Sequence, residues 1–316
     1  MKNILIVGLG AVGTVFAVFL KKAGHKVYGL VRDKNKYNCE SLKVDGIWGV
    51  HEAKLDDIVD KVEDLNIEFD IIIVAVKSFD TEEAVKSIKD LVKDKTFVLL
   101  TQNGYGNYET AVNYLPKEKV LLGRVIFGSK INQPCYATVT VNADDVRIGH
   151  PENLAKDKDV IDVVCTIKHS GIPASFSKDV YKILWDKILY NSALNPLGAI
   201  LKKRYGELAE NPYTRELMNE IIKEIFEVCK LNKIQLNFQS AEDYIEFFYS
   251  KLIPPTKDHY PSMYYDLLSG NKTEIEALNG AIVKLGEKVG YIPKVNKTVV
   301  NLVKSLSLPT DNVSIC

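Results

Sequence analysis

The chain opens on a short apolar run, Ile4–Val7, and runs of this kind recur through its first half. Val12–Leu20 is apolar over a helical length. Lys26–Val31 and Ile71–Val76 read as further strands, the second almost wholly β-branched. Thr81–Val92 carries Ala84, Val85, Ile88, Leu91 and Val92 at three-four spacing, which predicts a helix. Thr96–Leu100 and Val120–Phe127 are two more strands. Segments 136–141 and 145–149 are expected to form a hairpin across Asn142-Ala143-Asp144. Strands alternating with helices imply βαβ units on a parallel sheet. Nearly unbroken apolar strands imply helices on both faces of it. Beyond about residue 179 only helical periodicity is left, at 179–195, 212–231, 239–250, 262–269, 272–289 and 295–304. Pro196, Pro212, Pro254-Pro255, Pro261 and Pro293 punctuate it. The expected fold is an α/β Rossmann-type N-terminal domain, residues 1–178, followed by an all-α C-terminal domain, residues 179–316.

Composition narrows the function classes. The 316 residues carry 41 Lys+Arg against 41 Asp+Glu, so the basic excess usual for nucleic-acid binding is missing. At 46% hydrophobic the chain is too apolar for disorder. No apolar run reaches membrane-spanning length, and the opening run is too short for a signal peptide. A cytoplasmic protein without nucleic-acid or membrane partners is expected, as a monomer or homodimer. Cys39, Cys135, Cys165, Cys229 and Cys316 are scattered and odd in number, which reads as reduced thiols. The five histidines form no zinc-ligand pattern, so no metal is expected.

Gly8-Leu9-Gly10-Ala11-Val12-Gly13 follows the first strand directly and opens a helix. In that context the spacing predicts a dinucleotide-binding turn; the alternative is a glycine-rich turn without a ligand. Gly8 allows the tight turn, Gly10 lets a pyrophosphate approach the backbone, and Gly13 lets helix and strand pack closely. The helix N-terminus then offers free N–H groups to the phosphates. The second strand ends at Arg32-Asp33. An acid there suits the ribose of NAD and an arginine suits the extra phosphate of NADP. Arg32 comes first, which favours NADP(H); the alternative is an exposed arginine paired with Asp33. Lys77 and Asn103-Gly104 also follow strand ends, where open α/β sheets bind ligands. A solvated lysine and an ordinary Asn-Gly turn are the plainer alternatives.

In the second half, Lys187, Asn191 and Asn195 recur at steps of four, along one side of an otherwise apolar helix. Buried polar groups need partners, so this stripe suggests a cavity lining. An exposed edge, with the asparagines capping the helix before Pro196, explains it equally well. An ammonium suits carbonyl reduction: it stabilises the developing oxyanion and then supplies a proton. Asn side chains can orient carboxylate, carbonyl or hydroxyl groups. Glu274 falls at the edge of the apolar stripe Ile275, Leu278, Ala281, Ile282, Leu285 and Val289, while Glu276 points away from it. Asn271 and Glu274 could instead form a capping box, and Ser262 a simple N-cap.

These pieces coincide with a family. Gly8-x-Gly10-x-x-Gly13, Lys77, Asn103-Gly104, Leu184-Trp185-x-Lys187-x-x-x-Asn191, Asn195-Pro196-Leu197, Pro261-Ser262-Met263-x-x-Asp266 and Thr273-Glu274-Ile275-x-x-x-Asn279-Gly280 resemble ketopantoate reductases (2-dehydropantoate 2-reductases), over nearly the whole chain and in the same order. The resemblance implies NADPH-dependent reduction of ketopantoate to pantoate, a step toward pantothenate and coenzyme A. It implies Lys187 as general acid, with Glu274 contacting the substrate and ordering the site. Asn103, Asn191, Asn195 and Ser262 would bind the small 2-keto acid. Gly8, Leu9, Gly10, Ala11, Val12, Gly13, Arg32, Lys77 and Asn103 would hold the cofactor, with Lys77 at the nicotinamide end. His259 stands where some members carry an asparagine. The alternatives are a reductase of another 2-keto acid, a β-hydroxyacid dehydrogenase, or a non-enzymatic nucleotide sensor.

Overall fold

A computed structural model describes residues 1–307, so Cys316 lies outside the described residues. The chain divides into two compact units between Tyr181 and Lys182.

The strands of the first unit are β1 (Asn3–Val7), β2 (Lys26–Leu30), β3 (Leu42–Gly46), β4 (His51–Ala53), β5 (Asp57–Val59), β6 (Ile71–Val74), β7 (Phe97–Leu100), β8 (Val120–Arg124), β9 (Phe127–Gln133), β10 (Tyr136–Asn142), β11 (Val146–Gly149) and β12 (Ala174–Phe176). Its helices are α1 (Ala11–Lys22), α2 (Thr81–Ile88), α3 (Asn107–Ala111) and α4 (Asp157–His169). Eight strands form one sheet in the order β12-β11-β8-β7-β6-β1-β2-β5. It is parallel except where β11 runs antiparallel to β8. A second sheet of four strands has the order β4-β3-β10-β9.

Helix α1 lies between the sheets, packed on β1 and β2 of one and on β3, β4, β9 and β10 of the other. This placement explains why Val15, Phe16, Ala17, Val18, Phe19 and Leu20 are all buried, with no polar face interrupting them. Phe16, Phe19, Trp48 and Phe127 interlock on the small-sheet side, with Trp48 and Phe127 centroids 5.0 Å apart.

Three sequence expectations are corrected here. Segments 136–141 and 145–149 do not form a hairpin. Strand β10 pairs antiparallel with β9 and parallel with β3, whereas β11 pairs with β8 and β12. The expected single strand 120–127 is divided between the sheets: β8 ends at Arg124 and β9 begins at Phe127. Nor are all the cysteines reduced thiols. The turn between β9 and β10, with Cys135 at φ 69°, meets the segment after Tyr37, and Cys39 and Cys135 form a disulfide at a Cα separation of 6.6 Å. Cys165 and Cys229 are free.

The second unit is helical. It comprises α5 (Val180–Leu201, which carries the chain across the boundary), α6 (Tyr205–Glu210), α7 (Pro212–Leu231), α8 (Ala241–Phe247), α9 (Ser262–Leu268), α10 (Asn279–Lys288) and α11 (Lys294–Leu306). Asn211 caps α7 through Oδ1, which accepts from the N–H groups of Tyr213 and Thr214, and Pro212 takes the first helical position. Met218, Ile221, Ile222 and Ile225 give α7 a fully buried face. Glu224 on the same helix accepts from the N–H groups of Val295 and Asn296, both at 2.9 Å, and so caps α11 from outside.

Two helical segments differ from the periodicity. Helix α5 does not stop before Pro196 but runs through it to Leu201. The expected helix 272–289 is broken: a 3-10 turn, Ile275–Ala277, precedes α10, and the chain bends at Leu278 with φ −104° and ψ −109°.

Candidate active site

The glycine turn joins β1 to α1. Gly8 adopts φ +93°, and a Cβ there would lie 2.8 Å from Cγ1 of Val76. A Cβ on Gly13 would overlap the Gly8 carbonyl oxygen, whereas one on Gly10 would meet nothing within 4 Å. The three glycines thus serve different ends: turn, open approach and close packing. The N-cap of α1 is Gly10, which has no capping side chain, and the first turn carries no acid. The N–H groups of Ala11, Val12 and Gly13 have no partner among the described residues. Leu9 turns its carbonyl inward, where it accepts from the hydroxyls of Thr14 and Tyr37 at 3.1 and 3.2 Å. Gly8 follows β1 and Lys77 lies just beyond β6. Strand β1 sits between β2 and β6, so both positions lie at the topological switch of the sheet.

Arg32 follows β2, and its side chain is 66% exposed. It does not pair with Asp33, whose carboxylate instead accepts from the Asn35 N–H at 3.1 Å. The guanidinium is held by Asp80 at 2.5 Å and Glu83 at 3.2 Å, from the segment that follows β6. Lys77 immediately precedes that segment's short 3-10 turn, Ser78–Asp80.

Asn103 lies half-buried in the loop after β7. Buried Asn107 shapes that loop. Its Nδ2 donates to the carbonyls of Asn103 and Gly104 at 3.0 and 3.3 Å, and its Oδ1 accepts from Thr81. Gln102 in turn donates to the Thr81 hydroxyl.

In the second unit the side chains of Lys187, Asn191 and Asn195 follow one another along α5. Lys187 is half-buried, while Asn191 and Asn195 are only 8% and 7% exposed. Asn191 has no side-chain hydrogen bond among the described residues. Asn195 has one, accepted at Oδ1 from the Tyr205 hydroxyl at 2.7 Å. Since α5 continues past Pro196, the asparagines do not cap its end. Asp186 faces a different set of groups, with Oδ2 accepting from Asn237 at 2.6 Å and its carbonyl from Tyr244.

Three attachments gather the remaining residues around α5. A Cβ on Gly198 would stand 2.9 Å from Pro261, so this glycine admits the start of α9 against the helix. Ser262 is then the first residue of α9, exposed; Pro261 holds the N-cap position. The N–H of Tyr205 donates to the His259 carbonyl at 3.1 Å, and that of Gly206 to the Lys257 carbonyl at 2.8 Å. Asn279, fully buried, donates to the Ser192 carbonyl at 3.1 Å and to Oδ1 of Asn296 at 2.9 Å. Glu274, 9% exposed, precedes the 3-10 turn without capping it, so no capping box with Asn271 forms. Glu276 pairs with Lys284 and Lys304.

Among the described residues no cluster of His, Cys, Asp and Glu could hold a metal ion. No helix among them is long and apolar enough to cross a membrane. An open groove of about 590 Å³, lined by Arg215, Asn219, Lys223, Glu242 and Tyr249 among others, contains none of the expected site residues.

Comparison with known proteins decides the family. Residues 4–153 match the family described as Ketopantoate reductase PanE/ApbA, and residues 179–307 match its C-terminal part. The chain belongs to the ketopantoate reductase family. As a member it is an oxidoreductase. It is 49% identical over 304 residues to the 2-dehydropantoate 2-reductase of Aquifex aeolicus, covering 96% of each chain. Among solved structures it resembles a D-mandelate dehydrogenase in complex with NADH and anilino(oxo)acetate, with a TM-score of 0.85, 26% identity and coverage of 96% and 98%. A ketopantoate reductase of Ralstonia eutropha has the same fold at a TM-score of 0.84, with 24% identity and coverage of 96% and 98%. In this ketopantoate reductase family member, Tyr205 bonds the candidate residue Asn195 and Asn107 the carbonyl of the candidate residue Asn103, and the sequence alone points to neither. Tyr205 follows Lys202-Lys203-Arg204 and reads as surface. Asn107, four residues after Asn103, carries only a faint spacing signal.

Proposed function

We propose that this chain reduces 2-dehydropantoate to pantoate with NADPH, on the path to pantothenate and coenzyme A. The observation that carries the reading is the 49% identity, over 96% of both chains, to an enzyme of that name. The glycine turn fits a dinucleotide on chemical grounds: three N–H groups without partners, an uncapped helix start, and open space where a Cβ on Gly10 would stand. In this reading residues 1–178 hold the cofactor and residues 179–316 hold the substrate. Gly8, Leu9, Gly10, Ala11, Val12 and Gly13 cradle the pyrophosphate. Arg32 takes the adenosine phosphate, and Lys77 and Asn103 serve the nicotinamide end.

The bound nicotinamide supplies the hydride for C2 of the keto acid. Lys187 holds a proton at Nζ, stabilises the negative charge that grows on the carbonyl oxygen, and delivers the proton to complete the hydroxyl. Asn191 and Asn195 orient the substrate from the same side of α5, with Asn103 and Ser262 completing its contacts. Glu274 touches the substrate and orders the site. The protein acts in the cytoplasm as a monomer or homodimer.

A second reading has support in the likeness to D-mandelate dehydrogenase, crystallised with NADH: reduction of another 2-keto acid. The decisive experiment follows NADPH and NADH oxidation by purified enzyme with ketopantoate, phenylglyoxylate and a panel of branched 2-keto acids. The proposal expects the highest kcat/KM for ketopantoate with NADPH. A higher value for another acid transfers the assignment to that acid.

A further inference from the structure

We propose that Tyr205 is a positioning residue for the substrate: by donating to Oδ1 of Asn195, it turns the amide nitrogen of that asparagine outward as a hydrogen-bond donor. This rests on the reading of Asn195 as a substrate contact and adds which of its two faces the substrate meets.

The Tyr205 hydroxyl lies 2.7 Å from Oδ1 of Asn195, and the two residues are 4% and 7% exposed. A phenol can donate or accept, and an amide can be turned either way, so the orientation has to be argued. With the amide reversed, its nitrogen would donate to the phenol oxygen, and the phenol hydrogen would then need another acceptor. None is available among the described residues. The flanking groups are two rings, Tyr190 and His259, with centroids at 5.8 and 5.4 Å in edge-on contact. The Tyr190 hydroxyl is occupied by Thr256 at 2.7 Å. Reversal would therefore leave a buried hydroxyl hydrogen unpaired. The arrangement that satisfies it leaves Nδ2 of Asn195 with no protein partner among the described residues.

That nitrogen extends the polar stripe begun by Lys187 and Asn191. The ketone and carboxylate of a 2-keto acid only accept, and the hydroxyl of ketopantoate can accept as well as donate, so an outward donor matches any of the three. The reversed amide would set a carbonyl oxygen against a ketone or carboxylate oxygen, with no hydrogen between them. Burial, and after it Tyr190, push the Tyr205 phenol well above its ordinary value, so it stays a donor through neutral and mildly alkaline pH. Backbone contacts fix the tyrosine itself, since its N–H donates to the His259 carbonyl.

The test is a double-mutant cycle on the full-length enzyme, with ketopantoate and NADPH. Y205F should raise the KM for ketopantoate about tenfold, with kcat and the NADPH dissociation constant within about twofold. In an N195A background the same change should move KM less than about twofold. N195D keeps the acceptor for Tyr205 but replaces the outward nitrogen with oxygen, and should raise KM more than Y205F does. Equal effects of Y205F in both backgrounds, or an unchanged KM in N195D, overturn the positioning role. Unchanged KM in N195A removes the substrate contact itself, and the proposal with it. If another 2-keto acid proves to be the substrate, the cycle is run on that acid with the same expectations. Should Y205F fail to fold, N195D against N195A decides. Greater loss in the aspartate supports an outward donor, and equal loss opposes it.

Discussion

Asn279 donates its side-chain amide to the carbonyl of Ser192, 3.1 Å away, and this is the carbonyl that Pro196 leaves without a helical donor. A proline inside a helix removes the hydrogen bond to the residue four back. Here a side chain from α10 replaces it, and α5 continues past Pro196 to Leu201. N279L should therefore destabilise the protein by about 2–4 kcal/mol, because buried acceptors at Ser192 and Asn296 lose their donor. Urea unfolding measures this. Adding P196A returns a backbone N–H to the helix, so the double variant should recover part of the loss. No recovery would show that the Ser192 bond is not what Asn279 contributes.

Lys187 is the group whose removal should strike the chemical step. K187A is expected to lower kcat by a factor of about 10² to 10⁴ while NADPH binding, read by fluorescence titration, stays within about twofold. Near-normal turnover in this variant would remove the general-acid role.

The Arg32 guanidinium is oriented by Asp80 and Glu83. R32A should raise the KM for NADPH about tenfold and leave that for NADH nearly unchanged, the loss of one phosphate ion pair. The ratio of kcat/KM for the two cofactors, measured side by side, checks it; a constant ratio assigns the adenosine phosphate to other residues.

The bond between Cys39 and Cys135 closes a long loop, with a sequence separation of 96. Chain-entropy reasoning for a loop near that length gives about 4–5 kcal/mol of stabilisation, acting through the unfolded state. Equilibrium unfolding with and without dithiothreitol should differ by up to this amount in wild type and hardly at all in C39S. A Tm insensitive to reductant would argue that the bond contributes little.

Asp144 bridges Arg124 and Arg147, which face each other across β8 and β11. Burial alone would raise its carboxyl, but hydrogen bonds from Arg147 and Arg124 prevail and hold it down to about 2. A carboxylate depressed in the folded state stabilises fully above its ordinary value near 3.9, and that share is lost as pH falls toward 2. With a third of the side chain exposed, the contribution is screened to about 1–2 kcal/mol. D144N should flatten the acid limb of stability between about pH 4 and 2. An acid limb parallel to wild type in that window would assign the acid sensitivity elsewhere.

Much of this was legible in the residues, and what was not has physical causes. The strand–glycine-turn–helix segment reads correctly because the turn chemistry and the apolar run are local. The stripe on α5 is likewise visible, as three polar residues at steps of four. The second sheet is not, because β10 pairs with β3 across most of the first unit, and register between distant strands leaves no local mark. Pro196 reads as a stop because its partner, Asn279, is remote in sequence. The bend at Leu278 escapes periodicity for a related reason. The apolar stripe is intact on both sides of it, and what the bend does is deliver Asn279 into the junction with Ser192 and Asn296. Cys39 and Cys135 pair through tertiary placement alone.

The inward carbonyl of Leu9 has a wider consequence. Thr14 and Tyr37 occupy its lone pairs, so the glycine turn shows its surroundings N–H groups and hides the oxygen between them. Such a surface sorts by the sign of charge before it sorts by shape. In the proposed reading it welcomes one phosphate-bearing molecule much as another. Discrimination among nucleotides must then be exercised at a distance from the turn, by whatever grips their far ends.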